Sequence, residues 1–303
     1  MIDTRPCEPQ AQNLRLPPWL KRPLAPAGAL RELEASLIDA GLHTVCAEAK
    51  CPNRGECFGR GTATFLILGK ICSRACGFCG ITHGTPQPLD KDEPRRVAAA
   101  VAHMGVMHAV ITSVTRDDLP DGGAGQFAAV IRLIKQDLPS VTVEVLVPDF
   151  CGNSESLYTV LNAGPHVFNH NIETVVRLYP VVRPQAKYGR SLEILAKAAR
   201  HEVQLNVKSG LIVGLGETPG EVFSAMGDIR NTGCSLLTIG QYLRPSKEQH
   251  PVVEYVTPEQ FDDYRKQGLA MGFTEVSSGP FVRSSYRAEE MAGKKITGLT
   301  NSG

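Results

Sequence analysis

Six of the nine cysteines in this 303-residue chain fall between Cys46 and Cys79. They form two triplets. Cys46, Cys51 and Cys57 are spaced C-x4-C-x5-C, and Cys72, Cys76 and Cys79 are spaced C-x3-C-x2-C. Thiolates at this density suit zinc or iron–sulfur centres. A structural zinc site closes with a fourth ligand, whereas a catalytic centre leaves a position open. Neither triplet has a fourth cysteine at a neighbouring spacing, and three thiolates on a four-iron cluster leave one iron free to bind a substrate. Two plainer readings stand beside this one. Cys76 and Cys79 could be a C-x-x-C redox pair with Cys72 a bystander. Cys46, Cys51 and Cys57 could be a structural zinc or cluster site completed by Cys151 or Cys234. Cys7, Cys151 and Cys234 match no motif and otherwise read as free thiols, the last two packed like small apolar residues.

The elements that must hold these cysteines follow from the hydrophobic pattern. Residues 62–68 (TATFLIL) are a short run of β-formers and read as a buried strand, with the second triplet directly after it. Further strands are expected at 107–112, 141–147, 166–172, 203–213 and 235–242, with a short last one at 273–278. Between them, helical spacing is expected over 94–103, 126–138, 154–162, 191–201 (with Ser191 as its cap), 219–231 and 258–271. Strands alternating with helices argue for a parallel sheet with helical crossovers, either an open doubly wound sheet or a curved partial barrel. In both, chemistry gathers at the C-terminal ends of the strands. The second triplet lies at such an end, as do Thr112-Ser113, Asn169 to Asn171, Gly214 to Glu217 and Gln241-Tyr242. Upstream, residues 28–40 have helical spacing, and the Pro-rich stretch before them reads as an extended arm anchored by Trp19, the only tryptophan.

Charge is balanced, with 32 basic and 31 acidic residues, so no broad basic field for nucleic acid is implied. No apolar run approaches the roughly 20 residues of a membrane span, and the first 27 residues contain no apolar signal core. A cytoplasmic, reducing location is therefore expected, in which clustered cysteines bind metal or do redox chemistry rather than form disulfides.

The run Cys72-Ser73-Arg74-Ala75-Cys76-Gly77-Phe78-Cys79, with Phe78 in the aromatic place, resembles the signature of radical S-adenosylmethionine (SAM) enzymes. That resemblance implies a [4Fe-4S] cluster whose open iron chelates SAM, the cofactor carrying the hard chemistry and the protein supplying geometry. It also implies SAM contacts from Thr112, Ser113 and Asp117 on the methionine side, and from Gly214, Gly216 and Glu217 on the adenine side. Glu173 reads as a SAM contact or as structural, and each glycine as a contact or an ordinary turn. The combination of C-x4-C-P-N-x3-C-F with C-x3-C-x-F-C resembles the lipoyl synthase family more narrowly. The likeness continues through Thr112 to Gly123, Phe168 to Thr174, Arg183 to Ala186, Lys208 to Leu211, Gly214 to Glu217, Gly240 to Ser246 and Gly279 to Tyr286.

What this second resemblance implies is specific. The fold is α/β, a partial (β/α)6 TIM-like barrel with an N-terminal cluster-binding extension and a C-terminal closing segment. The divisions are 1–60, 61–272 and 273–303. A second [4Fe-4S] cluster is bound by Cys46, Cys51, Cys57 and the first serine of Arg283-Ser284-Ser285-Tyr286, so Ser284 is its fourth ligand. Read without the family, that run is a solvated turn. The substrate is an octanoyl chain on a lysine of a lipoyl carrier domain, from a 2-oxoacid dehydrogenase E2 or a glycine-cleavage H protein. Two SAM molecules give 5′-deoxyadenosyl radicals, sulfur enters at C6 and C8, and the second cluster is the sulfur source. An electron donor such as ferredoxin or flavodoxin and an iron–sulfur carrier are implied as partners, nucleic acid and membrane are not. An apolar barrel interior is expected to take the octanoyl chain. Arg183 and Arg190, flanking a loop after the fourth strand, read as contacts to the SAM carboxylate or the carrier, or as solvated surface arginines, and His170 as a satisfied core group. The alternatives are a biotin-synthase-like sulfur inserter, a methylthiotransferase, or a zinc-stabilised binding protein.

Overall fold

The computed structural model describes residues 15–21, 37, 41–48, 53, 56–57, 62–201 and 205–292. The strands are β1 (His43–Thr44), β2 (Thr62–Ile67), β3 (His108–Ser113), β4 (Thr142–Leu146), β5 (Val167–Asn169), β6 (Asn206–Val213), β7 (Leu236–Gln241) and β8 (Glu275–Gly279). They form one sheet in the order β1 to β8, parallel throughout except for the antiparallel β1–β2 pair. Because each parallel strand lies beside its predecessor and crossovers share one hand, the helices all fall on one side. The sheet therefore curls into a barrel, left open between β1 and β8. The helices are α1 (Val45–Glu48), α2 (Glu93–His103), α3 (Ala124–Asp137), α4 (Ser154–Asn162), α5 (Tyr179–Val182), α6 (Tyr188–Ala199), α7 (Pro219–Asn231), α8 (Pro258–Ala270) and α9 (Ala288–Ala292).

The strand and helix expectations hold with end shifts of a few residues, and β1 is an addition. Ser191 is not a cap. Helix α6 starts earlier, at Tyr188, and Ser191 lies one turn inside it, bonded to His170. The expected helix at 28–40 lies outside the described residues apart from Leu37, which is buried. Of the arm, only 15–21 is described. There Leu20 is buried and Trp19 is exposed, so the anchor is the leucine.

The two faces of the sheet are chemically unlike, as alternation permits. Phe65, Ile111, Val145, Phe168 and Val207 lie side by side in register on the outer face and are fully buried under the helices. The inner face carries Thr64, His108, Thr112, Glu144, Asn169 and Lys208, all buried. Inside the lower barrel, Lys208 Nζ donates to Glu144 Oε1 at 2.9 Å and His108 Nε2 lies 3.1 Å from Glu144 Oε2. Burial opposes the Glu144 charge, but Lys208 and His108 outweigh it and hold the carboxyl down at about 2. The expected apolar interior is qualified: Leu66, Val110, Val167 and Leu236 share the inner face with these polar groups, so it is mixed, while the outer face must satisfy the helices.

Below the triad, Met291 of α9 packs on Val167 and Leu236, at the starts of β5 and β7, and Thr62 Oγ1 donates to Glu289 Oε2 at 2.9 Å. The C-terminal segment therefore runs the height of the barrel, from the end of β8 to the strand starts, and closes its floor.

Candidate active site

The second triplet leaves the end of β2 in a loop stitched to its surroundings through backbone groups. Cys72 N–H donates to Thr82 O, Ser73 N–H to Thr115 O, and Gly77 N–H to Val182 O at 2.8 Å, while Gly77 O accepts from His250 N–H at 2.7 Å. Backbone N–H groups also reach the sulfurs: Thr115 and Arg74 donate to Cys72 Sγ at 3.3 and 3.4 Å, and Ile81 to Cys79 Sγ at 3.5 Å. Such donors stabilise thiolates and tune cluster potentials. Burial pushes the Cys76 thiol up and the Cys79 thiol up to about 12, so both are protonated until a metal displaces the proton. Among the described residues no three Cys, His, Asp or Glu side chains stand close enough to hold a single metal ion. A four-iron cube instead takes its thiolates at separate corners.

Arg74, between two of these cysteines, braces the loop. Its guanidinium donates to Asp117 through Nε at 2.6 Å and Nη2 at 2.8 Å, and to the buried Asp149 at 2.6 Å. Burial works against its charge, yet the two carboxylates outweigh it and raise its pKa. Gln185 Oε1 accepts from Ala75 N–H at 2.8 Å. Sequence reasoning passed over Arg74, Asp149 and Gln185. The strand-end rule pointed at Asp149, two residues past Val147, and a charge inside a loop that must enclose a cluster pointed at Arg74.

Beside this loop, several buried polar atoms have no partner. They are Ser113 Oγ, both amide atoms of Asn169, Asn171 Oδ1, Thr174 Oγ1 and Arg183 Nε. Buried polar groups are normally satisfied, so a group of unsatisfied ones at the mouth of a barrel marks where a polar ligand binds. SAM, with its amino, carboxylate, ribose and adenine groups, fits that need. Glu173 adopts a left-handed backbone (φ 68°), its N–H on Gly210 O and its C=O accepting from Ile212 N–H. Burial raises its carboxyl pKa, and Asn171 Nδ2 donates to it at 2.9 Å. Thr112 Oγ1 is engaged by Leu146 O and Asp117 by Arg74. Gly214 and Gly216 both have positive φ, and Glu217 accepts from the N–H groups of Gly214 and Leu215, bracing that turn. Phe78 is half-buried against the core.

Two readings of single residues are corrected here. Arg183 is buried, not surface: Nη1 donates to Asn171 O, Ile172 O and Tyr179 Oη, because the loop after β5 folds over it. Arg190 contacts Asp149 at 3.1 Å. Cys151 is exposed, at φ 53°, with its thiol on Asp117 at 3.2 Å. Cys234 is fully buried as expected, its thiol against Val207 O and Leu236 O, which removes it as a ligand for the first triplet. His170 is also as expected: its ring nitrogens meet Val147 O at 2.8 Å and Ser191 Oγ at 3.0 Å, and burial with nearby Arg183 holds its pKa down at about 4. Cys7 lies outside the described residues.

Of the first triplet, Cys57 is described in full and Cys46 by its backbone in α1, and Cys51 lies outside the described residues. The stretch between these cysteines is tied to the far end of the chain. Buried Asn53 donates to Phe281 O at 2.6 Å across 228 residues of sequence, and Tyr286 Oη donates to Glu56 at 2.9 Å. Cys57 N–H donates to Asn53 O. Between these anchors, Ser284 Oγ accepts from Asn171 Nδ2 at 2.6 Å. Gly240 on β7 makes room for the segment, since a Cβ there would overlap Val282 O. A set of thiols with one hydroxyl suits iron, with the oxygen the harder and more labile ligand.

The sequence pattern of the radical SAM superfamily matches residues 66–229. The chain is 55% identical over 274 residues to a lipoyl synthase of Rubrobacter xylanophilus, covering 90% of this chain and 85% of that protein. It is 55% identical over 277 residues to a lipoyl synthase of Caldanaerobacter subterraneus subsp. tengcongensis, covering 91% and 97%. The fold resembles that of SuiB from Streptococcus suis bound to its precursor peptide SuiA, with TM-score 0.57, 11% identity, and 82% of this chain and 52% of that chain covered. It also resembles the FeFe-hydrogenase maturase HydG from Carboxydothermus hydrogenoformans, with TM-score 0.52, 13% identity, and 88% and 77% covered. At these identities the two structures speak to the fold alone.

Proposed function

This chain belongs to the lipoyl synthase family, and from that premise we propose how its two cysteine groups share the chemistry. It is a sulfurtransferase that inserts two sulfur atoms, at C6 and C8, into an octanoyl chain carried on a protein lysine. Its cofactors are SAM and [4Fe-4S] clusters, which when bound supply an electron, a hydrogen-abstracting radical and the sulfur itself.

Cys72, Cys76 and Cys79 hold the SAM-binding cluster, and Cys46, Cys51, Cys57 and Ser284 hold the sacrificial one. The division follows 1–60, 61–272 and 273–303. In support, the loop at 72–79 is braced from three sides and lies beside the unsatisfied atoms of Ser113, Asn169, Asn171 and Arg183. Those atoms answer the polar groups of SAM, and Glu173 presents a carboxyl to its amino end. Phe78, Thr112, Asp117, Gly214, Gly216 and Glu217 shape the walls around it. The triad of Lys208, Glu144 and His108 and the floor formed by α9 confine the reaction to the upper barrel and exclude water from below.

The observation that carries this reading is the seat of Ser284. The Arg-Ser-Ser-Tyr segment is tied to the first cysteine motif on both sides of Ser284, and the serine itself touches Asn171 on the SAM side. These contacts support reading the hydroxyl as a link between the two cysteine groups, where sulfur from one site would meet carbon activated at the other.

The substrate is presented on an octanoylated carrier. For its source we propose a 2-oxoacid dehydrogenase E2 or a glycine-cleavage H protein, with ferredoxin or flavodoxin as reductant and an iron–sulfur carrier for rebuilding. Oxygen-sensitive clusters of this kind suit a reducing compartment, and we read the location as cytoplasmic. Among the described residues no helix is long and apolar enough to cross a membrane.

Anaerobic turnover with an octanoyl-lysyl peptide, SAM and dithionite tests the assignment. The expected result is a peptide carrying two sulfurs, with methionine and 5′-deoxyadenosine formed in step. Protein that binds zinc without sulfide and leaves the peptide unchanged would refute it.

A further inference from the structure

Asn171 contacts both the Arg-Ser-Ser-Tyr segment and the SAM-side carboxyl. Its Nδ2 lies 2.6 Å from Ser284 Oγ and 2.9 Å from Glu173 Oε1. An amide nitrogen has two hydrogens to give, and both are directed at these oxygens. The amide is also rigidly held. The Asn171 backbone carbonyl accepts from Arg183 Nη1 at 3.0 Å, and the chain on either side is stapled to β6, with His170 N–H on Lys208 O and Glu173 N–H on Gly210 O. Gly210 leaves the space its side chain fills, since a Cβ there would come within 2.8 Å of Asn171 Oδ1. The Glu173 carboxylate fixes which way the amide faces, because only the nitrogen can donate to it.

The donor suits Ser284 in both of its states. As a free hydroxyl, the serine oxygen can accept a hydrogen bond. As an iron-bound alkoxide it can only accept one, and an N–H from a buried amide is the matching partner. We propose that Asn171 is the positioning residue for Ser284. It aims the serine oxygen at the second cluster and, through its other N–H, ties that oxygen to Glu173 beside the SAM site. This rests on the reading of Ser284 as an iron ligand. Residues that orient metal ligands from behind typically change metal affinity by about 10–100-fold when removed, and Asn171 is assigned to that class.

The test isolates the second cluster. In a Cys72→Ala/Cys76→Ala/Cys79→Ala background, the full chain is reconstituted with iron and sulfide. Loss of iron to a chelator is followed by absorbance and by Mössbauer spectroscopy. Ser284→Ala and Asn171→Ala are each expected to speed that loss about 10-fold, and the double variant is expected to lose iron no faster than Ser284→Ala alone. The isosteric Asn171→Asp, which keeps the shape and removes the donor, should match Asn171→Ala and serves if the alanine variant does not fold. In the cluster-free protein, hydrogen exchange of the Tyr286 amide should quicken in both Asn171 variants. Rates unchanged by Asn171→Ala or Asn171→Asp, or effects that multiply in the double variant, overturn the proposal while leaving the Ser284 assignment intact. A Ser284→Ala protein that holds its iron as firmly as the parent overturns the Ser284 assignment itself.

Discussion

The cysteine loop at 72–79 and the segment at 281–287 serve the same barrel mouth but are built in opposite ways. The loop gathers three cysteines within eight residues of sequence, and most of its support is backbone hydrogen bonding to neighbouring loops and to helix α5. The segment brings one hydroxyl to a motif some 228 residues away, through a few side-chain contacts: Asn53 to Phe281, Tyr286 to Glu56, and Asn171 to Ser284. A centre that must persist through turnover gains from the first design. On the proposed reading, a ligand released during turnover is better served by the second, which these side-chain contacts hold.

The sharpest way to break this comparison is to remove one ligand from each centre. Cys76→Ala is expected to abolish both SAM cleavage and sulfur insertion. Cys57→Ala should abolish insertion while leaving reductive SAM cleavage within about threefold, since the SAM site stays whole. Chromatography of 5′-deoxyadenosine alongside mass analysis of the peptide reads both. Insertion surviving in Cys57→Ala would remove the distinction between the two centres.

Support can be broken as well as ligands. Arg74→Ala strips the buried Asp149 of its main partner, and breaking such a pair costs about 3–5 kcal/mol. The lower end is expected, because Arg190 still contacts Asp149. Urea unfolding of the cluster-free protein should show it. Gly240→Ala acts on the other region: its Cβ pushes on the Val282 carbonyl. Insertion should fall about tenfold, equivalent to about 1.4 kcal/mol, with SAM cleavage nearly unchanged. Equal losses in the two reactions would mean that the segment is not seated separately.

The smallest expected effect concerns pH. The His170 pKa is held down at about 4 in the folded state from an ordinary value of 6.5. The unfolded chain therefore binds more protons between those limits, and stability is lost as pH falls from 6.5 towards 4. Melting temperatures of the cluster-free protein should decline over that window, and His170→Gln should flatten the decline. Below about 4.5, protonation against Glu144, held at about 2, adds a further loss in both proteins.

How far the sequence could be read follows the same contrast. The β/α alternation and the cysteine loop at the end of β2 are local patterns, and the periodicity and the spacing of Cys72, Cys76 and Cys79 were enough to place them. The seating of Ser284 was not legible from spacing, and only the family resemblance pointed to it. Nothing in the sequence around Gly240 or Asn53 announces a partner so far along the chain. Two-residue β1 has no period to detect. Arg183, Cys151 and Trp19 were misjudged for one reason: residue type sets an average burial, while the loop after β5, the strained turn at Cys151 and the burial of Leu20 decide the particular case. The buried polar cluster inside the barrel was equally hidden, since Glu144 and Lys208 meet only once the sheet has curled.

The most direct measurement asks where the inserted sulfur comes from. The clusters are assembled with heavy-isotope sulfide, excess is removed, and a single turnover is run with octanoyl-lysyl peptide, SAM and dithionite, with ordinary sulfide in the buffer. The account predicts that both sulfurs in the product are heavy and that the iron lost is that of the second cluster, with the Cys76-bound cluster intact by Mössbauer spectroscopy. Product carrying ordinary sulfur, or iron lost equally from both centres, would contradict it.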